Sequence, residues 1–179
     1  MSLRVVYVPD TGHVLGAVAA IGAVPADVDA GAEPLVGAAL PLRVPVGAGE
    51  VATLALPARD LAVHEADDEP RVFAEPLAYG VRQVPGQRPR PALVRLAVWD
   101  EEPRFTADGL VITVPVTDAS QDTPVLALVA EGADVHVLAG RIPSGRDTVT
   151  LPVTVPTGTH GVLTLITGWT GSLRPVTKS

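Results

Sequence analysis

The side chains that most often carry out chemistry in proteins are few in this sequence. Four histidines are present: His13, His64, His136 and His160. None falls in an HxH, HExxH or HxxxH spacing, which would bring two imidazoles to one metal from a single strand or helix. Cysteine is absent, which excludes thiol nucleophiles, disulfides and cysteine-ligated metals. We expect each histidine to be solvated or hydrogen-bonded locally rather than to be a metal ligand or a catalytic base.

One short segment concentrates potential metal ligands. From His64 to Glu69, five of six side chains offer nitrogen or oxygen atoms, among them Glu65, Asp67 and Asp68. A divalent cation could bind such a cluster, and a metal-dependent enzyme is therefore one hypothesis. The segment lacks the alternate spacing and turn glycine of a calcium-binding loop. We expect a solvated acidic loop and no metal.

Motifs for nucleophilic hydrolysis and for phosphate binding are also missing. The sequence contains no G-x-S-x-G or S-x-x-K motif, and its serines fall at the termini or in polar turns. The segment 140–146 has suggestively spaced glycines but contains Pro143 and lacks the Lys-Ser/Thr pair of a phosphate loop. We therefore predict no catalytic residues, no cofactor and no enzyme activity.

The clearest charge pattern is basic. Arg82, Arg88, Arg90 and Arg95 occur within 14 residues that contain no acid, although 20 acidic against 13 basic residues give the chain a net charge of -7. A negative net charge disfavours nucleic acids and anionic lipid surfaces. The hypothesis is that these arginines contact acidic residues of a neighbouring protein, with candidates Glu65, Asp67, Asp68 and Glu69. The alternative is that they pair with acids of their own chain or remain solvated.

The two tryptophans offer a second kind of site. Trp99 and Trp169 both fall near strand ends, where an exposed ring could contact a carbohydrate or a protein ligand. No other aromatic residue lies close to Trp169 in the sequence to extend such a platform. The other interpretation is that both rings cover the open end of a sandwich.

The elements that would position these residues are predicted to be strands. After residue 92, apolar side chains recur with a period of two, which is typical of strands with one face on a core. Leu110, Ile112, Val114 and Val116 illustrate the pattern. We predict an immunoglobulin-like antiparallel β-sandwich of about seven strands, at 93–99, 110–117, 123–130, 134–139, 149–155, 161–169 and 173–176. Two outward prolines place the 149–155 strand at a sheet edge.

The first half of the chain predicts a smaller β-rich region. Short strands are expected at 4–8, 14–23, 40–46, 51–56, 59–64, 71–73 and 77–84. Pro9–Gly12 suits a hairpin turn with glycine in a left-handed conformation. Residues 24–39 are expected to form a surface loop or one or two helical turns around 33–39, and no long helix is predicted. The predicted organisation is 1–83 for this region, 84–91 for a proline- and arginine-rich connector, and 92–179 for the sandwich.

These patterns favour a structural role. An acidic all-β chain without a catalytic motif is typical of subunits that hold other proteins together. We predict a structural or assembly subunit of a phage-tail-like, capsid-like or other symmetrical bacterial particle, which self-associates or joins a larger complex. A ligand-binding β-sandwich module that uses the loops near Trp169 and Trp99 is the alternative. The longest apolar run, Val14 to Val24, is too short to span a bilayer. Because the start of the sequence lacks the pattern of a signal peptide, we expect a cytoplasmic protein or part of a particle that assembles in the cytoplasm.

Overall fold

The structure, a computed structural model, describes residues 2–20, 31–67, 69–84, 90–115 and 120–179. Strands make up 60% of it and helices 9%, and the strands form several antiparallel sheets. The all-β prediction is therefore confirmed.

In the described part of the chain, fourteen strands follow one another. Their bounds are β1 Ser2–Tyr7, β2 Val14–Ala20, β3 Ala39–Gly47, β4 Glu50–Pro57, β5 Ala62–Ala66, β6 Tyr79–Val84, β7 Arg90–Arg95, β8 Arg104–Thr106, β9 Gly109–Thr113, β10 Thr123–Glu131, β11 Asp134–Ile142, β12 Thr148–Leu151, β13 Gly158–Ile166 and β14 Ser172–Lys178. Among the residues that the structure describes, helical structure is limited to α1 at Glu33–Val36 and to 3-10 turns at Ala58–Asp60, Pro70–Phe73 and Pro76–Ala78. In the described part of the chain, no helix has the length and apolar character needed to cross a membrane.

The chain forms two compact units, and each contains segments that are distant in sequence. The first comprises Met1–Leu40, Leu56–Val98 and Gly168–Thr170, and the second comprises Pro41–Ala55, Trp99–Thr167 and Gly171–Ser179. Both units therefore draw on residues from each side of the predicted connector 84–91, of which residues 85–89 lie outside the described part of the chain.

The first unit contains a three-stranded sheet and a hairpin. The sheet has the order β2-β1-β5, and β6 pairs with β7. An antiparallel bridge between His13 and Gly80 links β6 to the start of β2. The predicted turn at Pro9–Gly12 joins β1 to β2, and Gly12 has a φ of 79°. A Cβ atom at Gly12 would lie 2.7 Å from the Val81 carbonyl oxygen, so the turn requires glycine for both its conformation and its close approach to β6.

The core of this unit comes from the alternating residues of its strands. Leu3 and Val5 of β1 pack with Val14 of β2 and with Tyr79 and Val81 of β6. Val72, in the 3-10 turn between β5 and β6, completes the buried cluster. This cluster lies beneath the groove described below.

The second unit contains a four-stranded and a three-stranded sheet. One has the order β11-β10-β13-β14, and the other has the order β12-β9-β8. Leu110 and Ile112 of β9 are fully buried, as predicted, but Val111 between them is buried as well, so this strand does not alternate as its spacing predicted. Leu163 and Leu165 of β13 are also fully buried. The ring of Phe105 on β8 contacts His160 on β13 edge to face, with 5.6 Å between centroids. These two sheets contain β8 to β14. The strand predicted at 93–99 as part of the sandwich is instead β7, which ends at Arg95 and pairs with β6 in the first unit.

Most of the β3–β4 hairpin also belongs to the second unit. Val44 and Ala52 of the hairpin lie over Gly161 of β13, so closely that a Cβ atom at Gly161 would be 2.4 Å from Val44 Cγ1. This packing explains why β13 is buried continuously from His160 to Ile166, although a strand exposed on one face would alternate.

Several predicted strand limits need correction. Residues 71–73 were predicted as a strand but lie in the 3-10 turn Pro70–Phe73. The predicted strand 59–64 begins with a 3-10 turn at Ala58–Asp60, and β5 starts at Ala62. The strand predicted at 149–155 ends at Leu151, directly before Pro152, whose nitrogen cannot donate to a ladder. As predicted, β12 lies at the end of its sheet. Residues 21–30 and 116–119 of the predicted elements lie outside the described residues.

Candidate functional site

A groove in the first unit collects most of the charged residues that the sequence singled out. One of its walls consists of the end of β5 and the segment that follows it, and β7 forms the other wall. Its volume is about 630 Å³, within the range of roughly 300–1,000 Å³ that is typical of ligand pockets. The groove is lined by His64, Glu65, Ala66, Asp67, Glu69, Arg71, Tyr79, Arg90, Pro91, Ala92, Leu93 and Arg95.

Apolar residues provide the floor of the groove. Tyr79 is buried in the core of the unit, and Ala66 and Leu93 pack against that core while remaining partly exposed. Tyr79 and Arg95 are directly opposite on β6 and β7, so the side chains of Tyr79, Leu93 and Arg95 share one face of the hairpin. The floor is therefore an extension of the hydrophobic core to the surface.

The β7 strand, which forms one wall of the groove, is hydrogen-bonded to a strand on one edge only among the described residues. The Leu96 N–H donates to the Ala78 carbonyl at 2.9 Å, across the β6–β7 hairpin. Because backbone groups alternate sides along a strand, the N–H and C=O groups of Arg95 and Leu93 point away from β6. Among the described residues, β7 has no strand partner other than β6. Two residues further along the same edge, the Ala97 N–H donates to the Gly168 carbonyl at 3.1 Å, and the Ala97 carbonyl accepts from the Thr170 N–H at 2.7 Å.

The other side of the groove is formed by β5, which pairs only with β1 in the described part of the chain. This side is acidic, with Glu65 and Asp67 exposed and Glu69 partly exposed. The Glu69 carboxylate also accepts a hydrogen bond from the Arg71 backbone N–H at 3.2 Å, which starts the 3-10 turn Pro70–Phe73. Desolvation lowers the pKa of His64, against the opposing effect of the Asp67 and Glu65 carboxylates.

Arginines oppose these acids on the β7 side. Arg90 and Arg95 lie on β7, whereas Arg71 lies in the 3-10 turn that follows β5, on the same side of the groove as the acids. Arg95 Nη2 is 3.6 Å from Glu75 Oε2 of the same chain, with both side chains more than half exposed. Exposed pairs of this kind contribute little free energy, about 0–1 kcal/mol. Arg95 can therefore exchange this partner for another acid at little cost.

The structure thus brings together five of the eight predicted interface residues within one chain. Arg90, Arg95, Glu65, Asp67 and Glu69 line the same groove. Arg82 points elsewhere, because its guanidinium lies 2.9 Å from where a Cβ atom of Gly168 would be. Arg88 and Asp68 lie outside the described residues. For Arg95, the contact with Glu75 corresponds to the alternative in which the arginines pair with their own chain.

The acidic segment does not form a metal site in the part of the chain that the structure describes. No three histidine, aspartate or glutamate side chains among those residues come together as potential ligands. His64 and Glu65 are neighbours on β5, so their side chains point to opposite faces of the sheet.

The two tryptophans are placed differently from each other. Trp99 is buried, and its indole N–H donates to the Thr113 carbonyl at 2.9 Å. Its ring therefore presents no exposed face to a ligand. Trp169 is partly buried, and its backbone forms a parallel bridge with Ala97.

Two histidines are buried in positions that their spacing did not reveal. His13 Nδ1 lies 2.9 Å from the Thr11 hydroxyl, and its Nε2 lies 2.8 Å from the Trp169 carbonyl. His160 lies between the carbonyls of Ala130 and Pro156, at 3.0 and 2.9 Å. The contact of His13 with Thr11 is local, as predicted, but its contact with Trp169 spans 156 residues and no local pattern could indicate it. His136 is more exposed and contacts Glu131.

Comparison with known proteins gives no relative from which a function could be inferred. No family model matches the chain, and no curated protein or solved structure matches it either.

Proposed function

We propose that this protein is a non-enzymatic structural subunit that assembles with copies of itself into a larger particle. The observation that supports this function best is the open edge of the β3–β4 hairpin. The hairpin forms a two-stranded sheet of nine and eight residues, and neither strand pairs with another strand in the described residues. Two-stranded sheets are marginal unless other elements cover them.

The two edges of the hairpin differ in their capacity to pair. β3 contains Pro41 and Pro45, and prolines on an edge strand prevent pairing with a further strand. β4 has no proline from Glu50 to Leu56. A long proline-free edge presents a row of free N–H and C=O groups to a partner strand.

The faces of β4 also suit a sheet that continues into a second copy. Leu54 and Leu56 are buried, whereas Val51, Thr53 and Ala55 are exposed. If two β4 strands pair antiparallel about a two-fold axis at Thr53, they form one four-stranded sheet. In this register the Glu50 carboxylate of one copy lies opposite Leu56 of the other, so no like charges meet. An interface of this kind is isologous and requires only one surface patch.

Sizing with light scattering over a range of protein concentrations tests this proposal. We expect the wild-type chain to form multiples of its 18.4 kDa mass. Thr53→Lys should shift it to the monomer, because two ammonium groups would face each other at the axis. The matched control is Val137→Lys, which adds the same charge to a valine that is 64% exposed on β11 and should leave assembly unchanged. A wild-type chain of 18.4 kDa at all concentrations, or a Thr53→Lys variant that assembles normally, would contradict the proposal.

Three finer statements belong to the same proposal. The seven strands β8 to β14 form an immunoglobulin-like sandwich, the particle is of the phage-tail-like or capsid-like bacterial kind, and it assembles in the cytoplasm. Their support is the two touching sheets of the second unit together with the composition of the chain. The mass of the native particle from a gentle lysate, with identification of the chains that copurify, tests the particle class.

A further inference from the structure

We propose that the groove between β5 and β7 binds a small zwitterion, a molecule in which a short apolar body joins a carboxylate group to an ammonium group. Dipeptides of small apolar residues belong to this class of ligand. All residues that line the groove lie in the first unit, whereas residues 41–55 of the β3–β4 hairpin belong to the second. Binding in the groove is therefore independent of self-assembly through β4.

The spacing of the two walls limits the size of the ligand. Cα atoms of β5 and β7 approach within 8 Å of each other. A strand placed between two others requires them to be about 9–10 Å apart, twice the usual spacing between strands, so no further strand fits between these walls. The groove has a volume of about 630 Å³, which is sufficient for a small molecule.

Tyr79 provides an unpaired hydroxyl in the floor of the groove. The residue is only 3% exposed, and its hydroxyl forms no hydrogen bond with a described residue. Among those residues, the fully buried side-chain polar atoms without a partner are Thr164 Oγ1 and Thr167 Oγ1, so the Tyr79 hydroxyl is not sealed inside the core. It opens into the groove that Tyr79 lines. A polar atom in such a position requires a partner from outside the protein.

Arg95 and Tyr79 together form the site for the carboxylate group. They are directly opposite each other on β7 and β6, so their side chains share one face of the hairpin. The guanidinium can donate two parallel hydrogen bonds to a carboxylate, and the phenol can donate a third. The exposed contact of Arg95 with Glu75, at 3.6 Å, is easily replaced. Arg90 adds a second positive charge to the same wall.

The β5 side of the groove forms the site for the ammonium group. Asp67 is exposed directly after β5, and Glu69 is partly exposed two residues later. Together with Glu65, this side carries three acids and the single cation Arg71, a net charge of -2. Desolvation lowers the pKa of His64 from its usual value of 6.5, so at pH 7 the imidazole is mostly neutral and does not offset these acids.

The floor between the two charged sites accepts an apolar body. Ala66 and Leu93 are partly exposed there and pack against the core of the unit. A ligand with two negative ends would meet the acids of the β5 side, and a ligand with two positive ends would meet the arginines of β7. The groove therefore selects a molecule with one charge of each sign at its two ends.

The test measures binding of the dipeptide Val-Val to the full-length protein by saturation-transfer difference NMR, which is suitable for a monomer and for a large particle. Two control compounds each lack one charge: N-acetyl-Val-Val has no ammonium group, and Val-Val amide has no carboxylate. We expect saturable binding of Val-Val with a Kd of about 1 mM. Each control should bind about tenfold more weakly, because it loses one charge-assisted contact.

Tyr79→Phe tests the role of the hydroxyl. The substitution keeps the ring in the core and should weaken Val-Val binding about three- to tenfold. Urea unfolding should show no loss of stability, because the hydroxyl has no partner among the described residues. Tyr7→Phe is the matched control, since Tyr7 packs against the same core but does not line the groove, and it should bind Val-Val as the wild type does.

Two further variants assign the two ends of the ligand. Arg95→Gln should remove the preference for Val-Val over Val-Val amide, and Asp67→Asn should remove the preference for Val-Val over N-acetyl-Val-Val. Arg43→Gln removes an exposed arginine on β3, outside the groove, and should retain both preferences.

The possible outcomes separate the two proposals. If Val-Val binding does not saturate, if both control compounds bind as tightly as Val-Val, or if Tyr79→Phe, Arg95→Gln and Asp67→Asn all bind as the wild type does, the groove proposal is overturned. Self-assembly is measured without dipeptide and is unaffected by these results. Conversely, a monomeric wild-type chain that binds Val-Val in the groove would overturn only the assembly proposal.

Discussion

At the scale of single residues, His13 is the side chain most strongly constrained by its surroundings. Its ring is fully buried between the Thr11 hydroxyl and the Trp169 carbonyl. A neutral imidazole with its proton on Nε2 donates to the carbonyl and accepts from the hydroxyl, so both contacts are satisfied without a positive charge. Burial is the largest cause that lowers the pKa of His13 from 6.5 to about 4, and the nearby Arg82 guanidinium acts in the same direction.

This pKa shift predicts a loss of stability in acid. The unfolded chain binds a proton at His13 near pH 6.5 and the folded chain near pH 4. Between these values the unfolded state binds more protons, so the free energy of unfolding falls as the pH falls. From pH 7 to pH 4.5, His13 should account for roughly 2 kcal/mol of the decrease. Urea unfolding at both pH values should show a decrease that is smaller by this amount in His13→Gln, and equal decreases in the two proteins would refute the assignment.

The charged residues of the groove could be predicted from the sequence, but the groove itself could not. The arginine and acid runs are visible as composition, and five of those residues do line one surface. Leu93 and Tyr79 were missed, because their role depends on how β7 pairs with β6 and on how β6 extends the core. Trp99 was a ligand candidate by residue type, and only packing shows that its ring is buried.

At the scale of elements, the approach of the β3–β4 hairpin to β13 depends on a single glycine. Gly161→Ala would place a Cβ atom 2.4 Å from Val44 Cγ1 and 2.8 Å from Ala52 Cβ. The hairpin must then shift, and overpacking of this kind costs about 1–3 kcal/mol. Gly16→Ala on β2 is the matched control, because its Cβ atom would meet nothing within 4 Å. Urea unfolding should show the loss only for Gly161→Ala, and similar effects for both variants would contradict the close packing.

The alternation of apolar residues predicts strands well where they are long and poorly where they are short. β10, β11 and β13 each have nine residues and overlap the predicted strands. The three residues 71–73 are too few to show a period, and the preceding Pro70 suits the start of a helical turn. β8, also three residues long, was not predicted for the same reason. The burial of β13 on both faces depends on a hairpin about 110 residues earlier, which a local pattern does not reveal.

At the scale of the whole molecule, each compact unit is built from segments that are far apart in the sequence. The second unit takes Pro41–Ala55 from the first half of the sequence, and the first unit takes Gly168–Thr170 from the second half. The change in residue usage along the chain predicts one boundary, at 84–91. Such a change does not report which segments pack together. No single cut separates the two units, since the chain passes between them at several points.

This organisation predicts that residues 92–179 are not stable alone. The fragment lacks the hairpin that packs over Gly161, so it exposes apolar surface of β13 that is buried in the full chain. At about 25 cal/mol per Å², exposure of even 100 Å² costs roughly 2–3 kcal/mol. The free energy of unfolding should recover when residues 38–57 are joined to the fragment by a flexible linker, whereas a linked peptide of scrambled sequence should have no effect. If the bare fragment unfolds at the same urea concentration as the hairpin fusion, the β3–β4 hairpin is not part of the second unit's core. The predicted domain 92–179 would then fold independently.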